Sequence, residues 1–242
     1  MPKSSHFTPA TFKFLKDLKR NNNRDWFQKN KPRYESELKG PCLAFISNLA
    51  EPLRKISAEY VANPKPVGGS LFRIYRDTRF SGDKSPYKTH AGMSFYHQIT
   101  RATPRADAGN AMMGRLDAPV FYLHLEPGQC FIGGGLWHPR PETIKRVRNY
   151  MLNNPASWKK ATRDARFTSI FSLEGGGLSR PPQGYDPAHE LIEDLKRKDF
   201  VCTAALNEKQ LCAPDAMKTV LKHFQRAAPM IDWLCGALEL EF

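Results

Sequence analysis

Apolar residues at helical spacing predict a helix near the start of the chain. Thr8-Pro9 combines residue types favoured at the N-cap and at the first helical position. An apolar residue then recurs every three positions over Phe12–Leu18. Asn21–Asn23 are expected to end this helix, and Arg24–Phe27 after them are expected to form an ordered turn.

Prolines and glycines mark the limits of the other predicted helices. Pro32 is expected to open a segment that breaks at Gly40–Pro41, and Pro229 is expected to restart the last helix. The remaining helices are predicted after Pro41, from Pro141 to about Leu152, from Pro155 onward, over Ala188–Arg197 and from Pro214 onward.

Segments rich in β-forming residues predict the strands of an antiparallel sheet. They are Leu71–Tyr75, Ala91–Gln98, Val120–Leu125, Gln129–Leu136, Phe167–Leu173 and Phe200–Leu206. Glu126–Gly128 joins two of these segments and carries the Pro-Gly pair of a tight turn. Residues 99–117 are polar and patternless, so they are expected to be an excursion of the sheet.

These elements indicate an α+β fold in a single domain, residues 1–242. A helical part over residues 1–60 precedes the main antiparallel strands of residues 68–136, and residues 139–242 mix helices and strands. The sheet is expected to hold about five to six strands, with N-terminal and C-terminal helices flanking it.

The composition is that of a folded protein and excludes several classes. Hydrophobic residues make up 40% of the 242 residues, enough for a core. No run approaches the ~18 apolar residues of a membrane-spanning helix, so no membrane partner is expected. No apolar signal-peptide core follows the N-terminus, which predicts a cytoplasmic protein. The 5 cysteines include no CxxC pair, which argues against a disulfide framework and a structural zinc site.

The charge balance narrows the classes of partner. Thirty-seven Lys and Arg against 24 Asp and Glu give a net charge of +13. Such a field attracts phosphates, nucleic acid or acidic surfaces. A basic region over Arg140–Arg166 is either a solvated helix face or, with its aromatic residues, a nucleic-acid track.

The densest group of candidate functional residues lies in Arg73–Lys88, called here the cationic segment. Arginine presents a planar fork of donors that suits phosphate or carboxylate, and lysine adds a point charge. If the preceding strand extends through Arg76, this arginine lies on the more apolar face and needs Asp77 or Asp83 as a partner. The segment is therefore either an anion site or a salt-bridged strand end.

From Arg73 to Tyr87 the cationic segment reads R-x-x-R-D-x-R-F-x-x-D-K-x-x-Y. With this pattern the chain resembles the uncharacterised, mainly bacterial domain-of-unknown-function 2461 family. The resemblance continues at Asn22–Phe27, Phe121–Pro127 and Gly133–Trp137, and it is expected to cover the whole chain. It implies a site at the cationic segment and no particular activity.

The first functional hypothesis is a module that binds an anionic, phosphate-bearing ligand, with nucleic acid the leading candidate. Asp77 and Asp83 would orient the arginines of the segment. The residues expected to bind the ligand are Arg73, Arg76, Arg79, Lys84, Lys88, Arg24, Trp26 and Trp137.

The second hypothesis is an enzyme of phosphoester or acyl-type chemistry, a hydrolase or transferase. Asp77 or Asp83 would act as general base, and Tyr87 or His90 would relay a proton. A third hypothesis is a protein-interaction domain in which the cationic segment is purely structural. The sequence leaves the oligomeric state and the identity of the ligand open.

Neither a metal site nor a cofactor is expected from the sequence. Four histidines, His90, His97, His124 and His138, fall in or near the predicted sheet, and strands bring distant residues together. They show no HExxH spacing, and no pair of carboxylates accompanies them.

Overall fold

The computed structural model describes residues 5–79, 82–101 and 118–242, so most of the 99–117 excursion lies outside the described residues. Its centre is a six-stranded antiparallel sheet with the strand order β1-β2-β3-β4-β6-β5. The strands are β1 (Tyr60–Val61), β2 (Ala91–His97), β3 (Val120–Leu125), β4 (Phe131–Leu136), β5 (Ser172–Glu174) and β6 (Phe200–Ala205). The predicted α+β class with an antiparallel sheet is confirmed.

Helices precede, interrupt and follow the strands. They are α1 (Pro9–Arg20), α2 (Arg24–Lys29), α3 (Lys31–Arg33), α4 (Gly40–Arg54), α5 (Pro141–Asn153), α6 (Pro155–Arg163), α7 (Ala165–Thr168), α8 (Ile192–Leu195), α9 (Glu208–Cys212) and α10 (Ala216–Ala237). A π-helical turn over Tyr34–Lys39 joins α3 to α4, and a 3-10 turn over Gln98–Arg101 follows β2. Within the described ranges, no helix combines the length and apolarity needed to span a membrane.

One face of the sheet is covered by α10. The ring of Phe224 on this helix lies 4.9 Å from the ring of Phe121 on β3, centroid to centroid, and both side chains are fully buried. A Cβ at Gly134 of β4 would lie 2.9 Å from Cδ1 of Ile231. The absence of a side chain there lets α10 lie close to the strand, and α4 packs beside it against β1.

The opposite side of the sheet is called here the open face. Cross-strand partners point to the same face of a sheet, because side chains alternate along each strand. The rows that point to the open face include Gly92–His124–Phe131 and Ser94–Tyr122–Gly133. Two of these positions are glycines. The Tyr122 hydroxyl lies over Gly92, and Gly133 lines a pocket on this face.

Two predicted interruptions of the N-terminal helices are wrong. Arg24–Lys29 is a helix and not a turn, because the side chain of Asn23 caps it by accepting from the Trp26 N–H at 2.9 Å. The chain also stays helical through Gly40. The π-helical turn lets the Gly40 N–H donate to the Glu35 carbonyl, and it accommodates the following proline, which has no N–H. A Cβ at Gly40 would lie 2.8 Å from that carbonyl oxygen, so the position requires glycine.

Three further boundaries differ in the C-terminal half. Pro229 lies inside the continuous α10 and does not restart it, since buried residues on both sides hold the helix against the sheet. The predicted strand over Phe167–Leu173 begins instead as α7, capped by Asp164, and only β5 is extended. The helix predicted over Ala188–Arg197 is limited to α8.

Candidate functional site

The cationic segment folds into a hairpin at the edge of β2. Its arms pair through a β-bridge between Tyr75 and Tyr87, and the Lys88 N–H donates to the Ile74 carbonyl at 2.7 Å. The predicted regular strand over Leu71–Tyr75 is wrong, because only isolated bridges form where the chain turns away from β2 into the hairpin. Residues 80 and 81 lie outside the described residues.

The hairpin is anchored on α2 by Tyr87. Asn22 donates to the Tyr87 carbonyl at 2.9 Å and accepts from its N–H at 3.1 Å. The Tyr87 ring is buried and stacks on Phe27, with the centroids 4.0 Å apart and the planes at 17°. Burial also raises the pKa of the Tyr87 phenol. The structure therefore gives this residue a packing role, and its predicted part in a proton relay stays a prediction.

Carboxylates of the hairpin itself bind two of its arginines. Arg76 pairs with Asp83 and donates to the Ser85 hydroxyl at 2.8 Å. Arg79 holds Asp77 through two hydrogen bonds of 3.0 and 2.7 Å. Lys84 donates to a backbone carbonyl within the hairpin at 3.0 Å. Two of the five cations of this segment are thus paired with its two aspartates, and a formal charge of +3 remains.

These contacts also bear on the predicted general base. Hydrogen bonds from Arg79 lower the pKa of Asp77 to about 2. Hydrogen bonds from Ser85, and then from Arg76, lower the pKa of Asp83 to about 2. A general base works best when its pKa lies near the operating pH. The role of Asp77 or Asp83 as a general base stays a prediction, and their low pKa values do not favour this role.

Lys88, at the end of the hairpin, differs from the other cations of the segment. Its side chain is half-buried, and Nζ lies 5.4 Å from the centroid of the Phe72 ring. Burial lowers the pKa of this ammonium, and the nearby charge of Arg73 lowers it further. Within the described parts of the chain, no carboxylate lies within ion-pair distance of Lys88 or Arg73.

The predicted contributions of α2 are less central. The Trp26 ring is half-buried and packs against Phe14, with the centroids 5.9 Å apart. Arg24 is exposed, and its charge lies near enough to Tyr87 to oppose the rise in pKa that burial causes there. The two residues lie on the helix that anchors the hairpin, and whether they bind a ligand stays a prediction.

A pocket of about 310 Å³ opens on the open face. Phe72, next to Lys88, forms part of its wall, and so do Tyr122 and Phe131. Its floor includes Gly133 and Gly135, where a Cβ would lie 2.2 and 2.0 Å from carbonyl oxygens of β6. The glycines of β4 thus allow close contact between two strands, and at these two positions no side chain enters the pocket.

Trp137 lies at the rim of this pocket with 46% of its surface exposed. The next residue, His138, adopts a φ of 49° and donates its backbone N–H to Asp199 at 2.6 Å. The buried Asp199 carboxylate also accepts from the Gly176 N–H at 2.8 Å. Asp199 therefore fixes the end of β4 and, with it, the position of Trp137.

A polar cluster lies beside the pocket, on the same face of the sheet. His124 Nε2 is 3.1 Å from a carboxylate oxygen of Glu126, and its Nδ1 is 3.0 Å from the hydroxyl of Tyr122. The ring of His124 stacks on Phe131 at 4.5 Å and lies 4.5 Å from the ring of His90. The predicted catalytic residue His90 therefore belongs to this cluster.

The environment keeps the imidazoles of this cluster neutral near neutral pH. Burial, and after it the adjacent His124, lower the pKa of His90 to about 4. Burial also lowers the pKa of His124, although the Glu126 carboxylate acts in the opposite direction. Neutral imidazoles accept protons and bind metal ions, so the cluster is capable of both.

Sequence reasoning missed Tyr122, His124 and Glu126 as one group. The signal is the alternation along β3, which places residues two apart on one face, with Glu126 just past the strand end. The antiparallel register of β2 then brings His90 beside them, and this register is a property of the fold. Among the described residues, His90, His124 and Glu126 are the one group of three or more His, Cys, Asp or Glu side chains that could hold a metal ion.

In the basic region over Arg140–Arg166, four of the eight cations have a carboxylate partner among the described residues. Arg163 pairs with Asp194 at 3.0 Å, and Lys159 pairs with Glu190. Arg146 lies 3.2 Å from Glu239. These pairs favour a solvated helix face over a continuous nucleic-acid track.

The comparisons with known proteins agree with the expected resemblance. Neither the curated proteins nor the solved structures gave a match to this chain. Residues 10–233 match the family described as Conserved hypothetical protein (DUF2461). The match includes the hairpin, the pocket and the polar cluster. The chain therefore belongs to the DUF2461 family.

Proposed function

We propose that this protein binds a small ligand with an apolar body and a phosphate or carboxylate group in the pocket of the open face. The observation that carries the proposal is the position of Lys88. It is a half-buried cation beside Phe72 at the pocket wall, with no carboxylate in ion-pair distance among the described residues.

The charges of the hairpin support this choice of anion site. A partly desolvated cation without a counter-ion is costly, and a bound anion offsets that cost. Arg76 and Arg79 already hold hairpin carboxylates, so an external anion would have to displace them. Lys88, with Arg73 beside it, offers charge without such competition.

The shape of the pocket supports a small molecule. Its volume of about 310 Å³ is at the lower end of the range for ligand sites. Aromatic walls and a glycine floor suit a flat or narrow apolar group. A nucleic acid is the competing ligand class, favoured by the net charge of +13, and it would engage exposed cations more than Lys88.

An enzyme is a second candidate function, favoured by the contact of His124 with Glu126. A carboxylate that holds an imidazole in a fixed orientation is a common arrangement for a general base. In this arrangement His124 would be the base, and the bound anionic ligand would be its substrate. A reaction of the phosphoester or acyl type suits these groups.

Isothermal titration with phenyl phosphate tests the binding proposal. Lys88→Met keeps the apolar stem and removes the charge, so we expect a loss of affinity of roughly 10- to 100-fold, the value of a hydrogen bond to a charged group. Lys65→Met, at an exposed lysine outside the hairpin, is the matched control and should bind as the wild type does.

Two results would contradict the pocket site. One is that Lys84→Met lowers the affinity for phenyl phosphate as much as Lys88→Met does, which would place the anion on the outside of the hairpin. The other is that a labelled oligonucleotide binds tightly and with steep salt dependence, while phenyl phosphate does not bind. The second result would make the protein a nucleic-acid binder.

A further inference from the structure

We propose that His90, His124 and Glu126 form a binding site for a divalent transition-metal ion. Each side chain offers one ligand atom, and these atoms all lie within 4.8 Å of one another. The three residues come from two places in the sequence that the register of β2 and β3 brings together. The site lies beyond the anion-binding proposal and does not depend on it.

The chemistry of the three side chains fits such an ion. Two imidazole nitrogens and one carboxylate form the protein ligand set of several catalytic zinc sites and of non-haem iron sites. Sets of this kind leave coordination positions for water or substrate. Hard ions such as Mg²⁺ or Ca²⁺ prefer oxygen ligands, so the two histidines select against them.

The distances are close to those that metal binding requires. Two ligand atoms that each lie ~2.1 Å from one ion are ~3.0–3.4 Å apart. His124 Nε2 and the Glu126 carboxylate oxygen are already 3.1 Å apart. His90 has to approach them by less than about 2 Å, which a side-chain rotation supplies.

The surroundings of His124 are those of a positioned metal ligand. When Nε2 binds the ion, Nδ1 carries the proton and donates it to the Tyr122 hydroxyl, 3.0 Å away. The Phe131 ring stacked on the imidazole fixes its plane. Tyr122 reaches this place because Gly92 lies beneath it, where a Cβ would be 2.4 Å from the hydroxyl oxygen.

The site also adjoins the pocket. Tyr122 and Phe131, which position His124, are themselves part of the pocket wall. If the anion proposal holds, we expect a ligand in this pocket to lie beside the bound ion. This last step rests on the proposed function, whereas the binding of the metal alone does not.

Titration with Co²⁺ alone, after treatment with a chelator, tests the site. We expect one bound ion per chain and the visible absorption of a nitrogen- and oxygen-ligated Co²⁺. Glu126→Gln and His90→Gln should each lower the affinity for Co²⁺ by at least about 100-fold. Loss of a residue that only hydrogen-bonds a metal ligand already lowers metal affinity by roughly 10- to 100-fold. Tyr122→Phe removes the hydroxyl that positions His124, and it should lower the affinity for Co²⁺ by roughly 10- to 100-fold.

His138→Asn is the matched control, because its exposed imidazole lies 3.2 Å from the Asp199 carboxylate. This variant should keep wild-type Co²⁺ affinity, and thermal melts with chelator should show that every variant is folded. Loss of Co²⁺ in His138→Asn with retention in Glu126→Gln would overturn the assignment. Absence of Co²⁺ binding by the folded wild type would do so too, and it would leave the Lys88 experiment unaffected.

Discussion

The hairpin and the polar cluster of the open face use similar side chains in different ways. The hairpin gathers its charges from one continuous stretch, and its arginines and aspartates pair with each other at an exposed edge. The cluster draws a few groups from separate segments and holds them half-buried beside a pocket. The comparison teaches that a dense motif is not by itself an available site.

Solvent explains much of this difference. Exposed ion pairs are screened by water and salt, and each contributes little to stability or binding. In a partly desolvated site the same groups interact more strongly with each other and with a ligand. In the proposed anion site the hairpin would contribute mainly Lys88, which lies beside Phe72.

The largest expected effect comes from the anchor of the hairpin. Tyr87→Ala removes a buried ring stacked on Phe27, so we expect the free energy of unfolding to fall by about 3–5 kcal/mol. Tyr87→Phe should cost less than about 1 kcal/mol, because the hydroxyl makes no hydrogen bond to a described residue. Urea denaturation of the two variants measures both values.

A large effect of Tyr87→Phe would break the comparison. It would mean that the hydroxyl, and not only the ring, has a partner, as the proton-relay hypothesis requires. The hairpin would then be a chemical site in its own right. Equal denaturant slopes for the two variants would show that the difference lies in stability and not in the compactness of the unfolded chain.

An intermediate effect is expected from glycines, one in each region. A Cβ at Gly92 would lie 2.4 Å from the Tyr122 hydroxyl and 3.0 Å from the Phe72 ring. Gly92→Ala should therefore lower the free energy of unfolding by about 1–3 kcal/mol through overpacking. A Cβ at Gly82 in the hairpin meets no described residue within 4 Å, so Gly82→Ala should stay within about 0.5 kcal/mol of the wild type.

Thermal unfolding monitored by circular dichroism gives the melting temperatures of the two glycine variants. The crowded Gly92→Ala should melt at a lower temperature, whereas Gly82→Ala should melt as the wild type does. A costly Gly82→Ala would indicate that the hairpin tip packs as tightly as the open face. In that case the two regions would no longer differ in the way proposed.

The sequence was informative where a pattern is local. The N-cap and proline at the start of α1, the apolar spacing of α5, and the β-forming residues of β3 with the Pro-Gly turn after them each predicted an element that the structure contains. The two-residue β1 was missed, because so short a strand exists only through its pairing with β2. The helical continuity at Gly40 depends on a π-helical turn that propensity does not encode.

For the candidate site, too, the local features were predicted from the sequence and the contacts between distant residues were not. The cationic segment was visible because its residues are contiguous, yet the pairing of Arg76 with Asp83 follows from the fold of the hairpin. His90 was identified near the motif, but its partner His124 lies far along the chain and meets it only in the antiparallel register. Availability depends on burial and pairing, and both are properties of the folded chain.

The smallest expected effect concerns the aspartates of the hairpin. Their pKa values of about 2 lie below the ordinary value of 3.8. For a depressed pKa the contribution to stability is present above the unfolded value, and it is lost as the pH falls from about 4 to about 2. Carboxyl carbon NMR shifts recorded across this range should show both groups still ionised near the upper end.

Two arginine variants sharpen this prediction and test whether Arg76 and Arg79 are held by the aspartates of the hairpin. Arg79→Ala should raise the pKa of Asp77, because the Arg79 side chain is the largest cause of its depression, but the backbone N–H of residue 79 still donates to Asp77 at 3.2 Å and keeps part of the shift. Arg76→Ala should raise the pKa of Asp83 less, because Ser85 still donates its N–H at 2.9 Å. If both aspartates titrate at the ordinary value in the wild type, the arginines are not held by them. They would then be open to an external anion, and the hairpin would compete with Lys88 as the anion site.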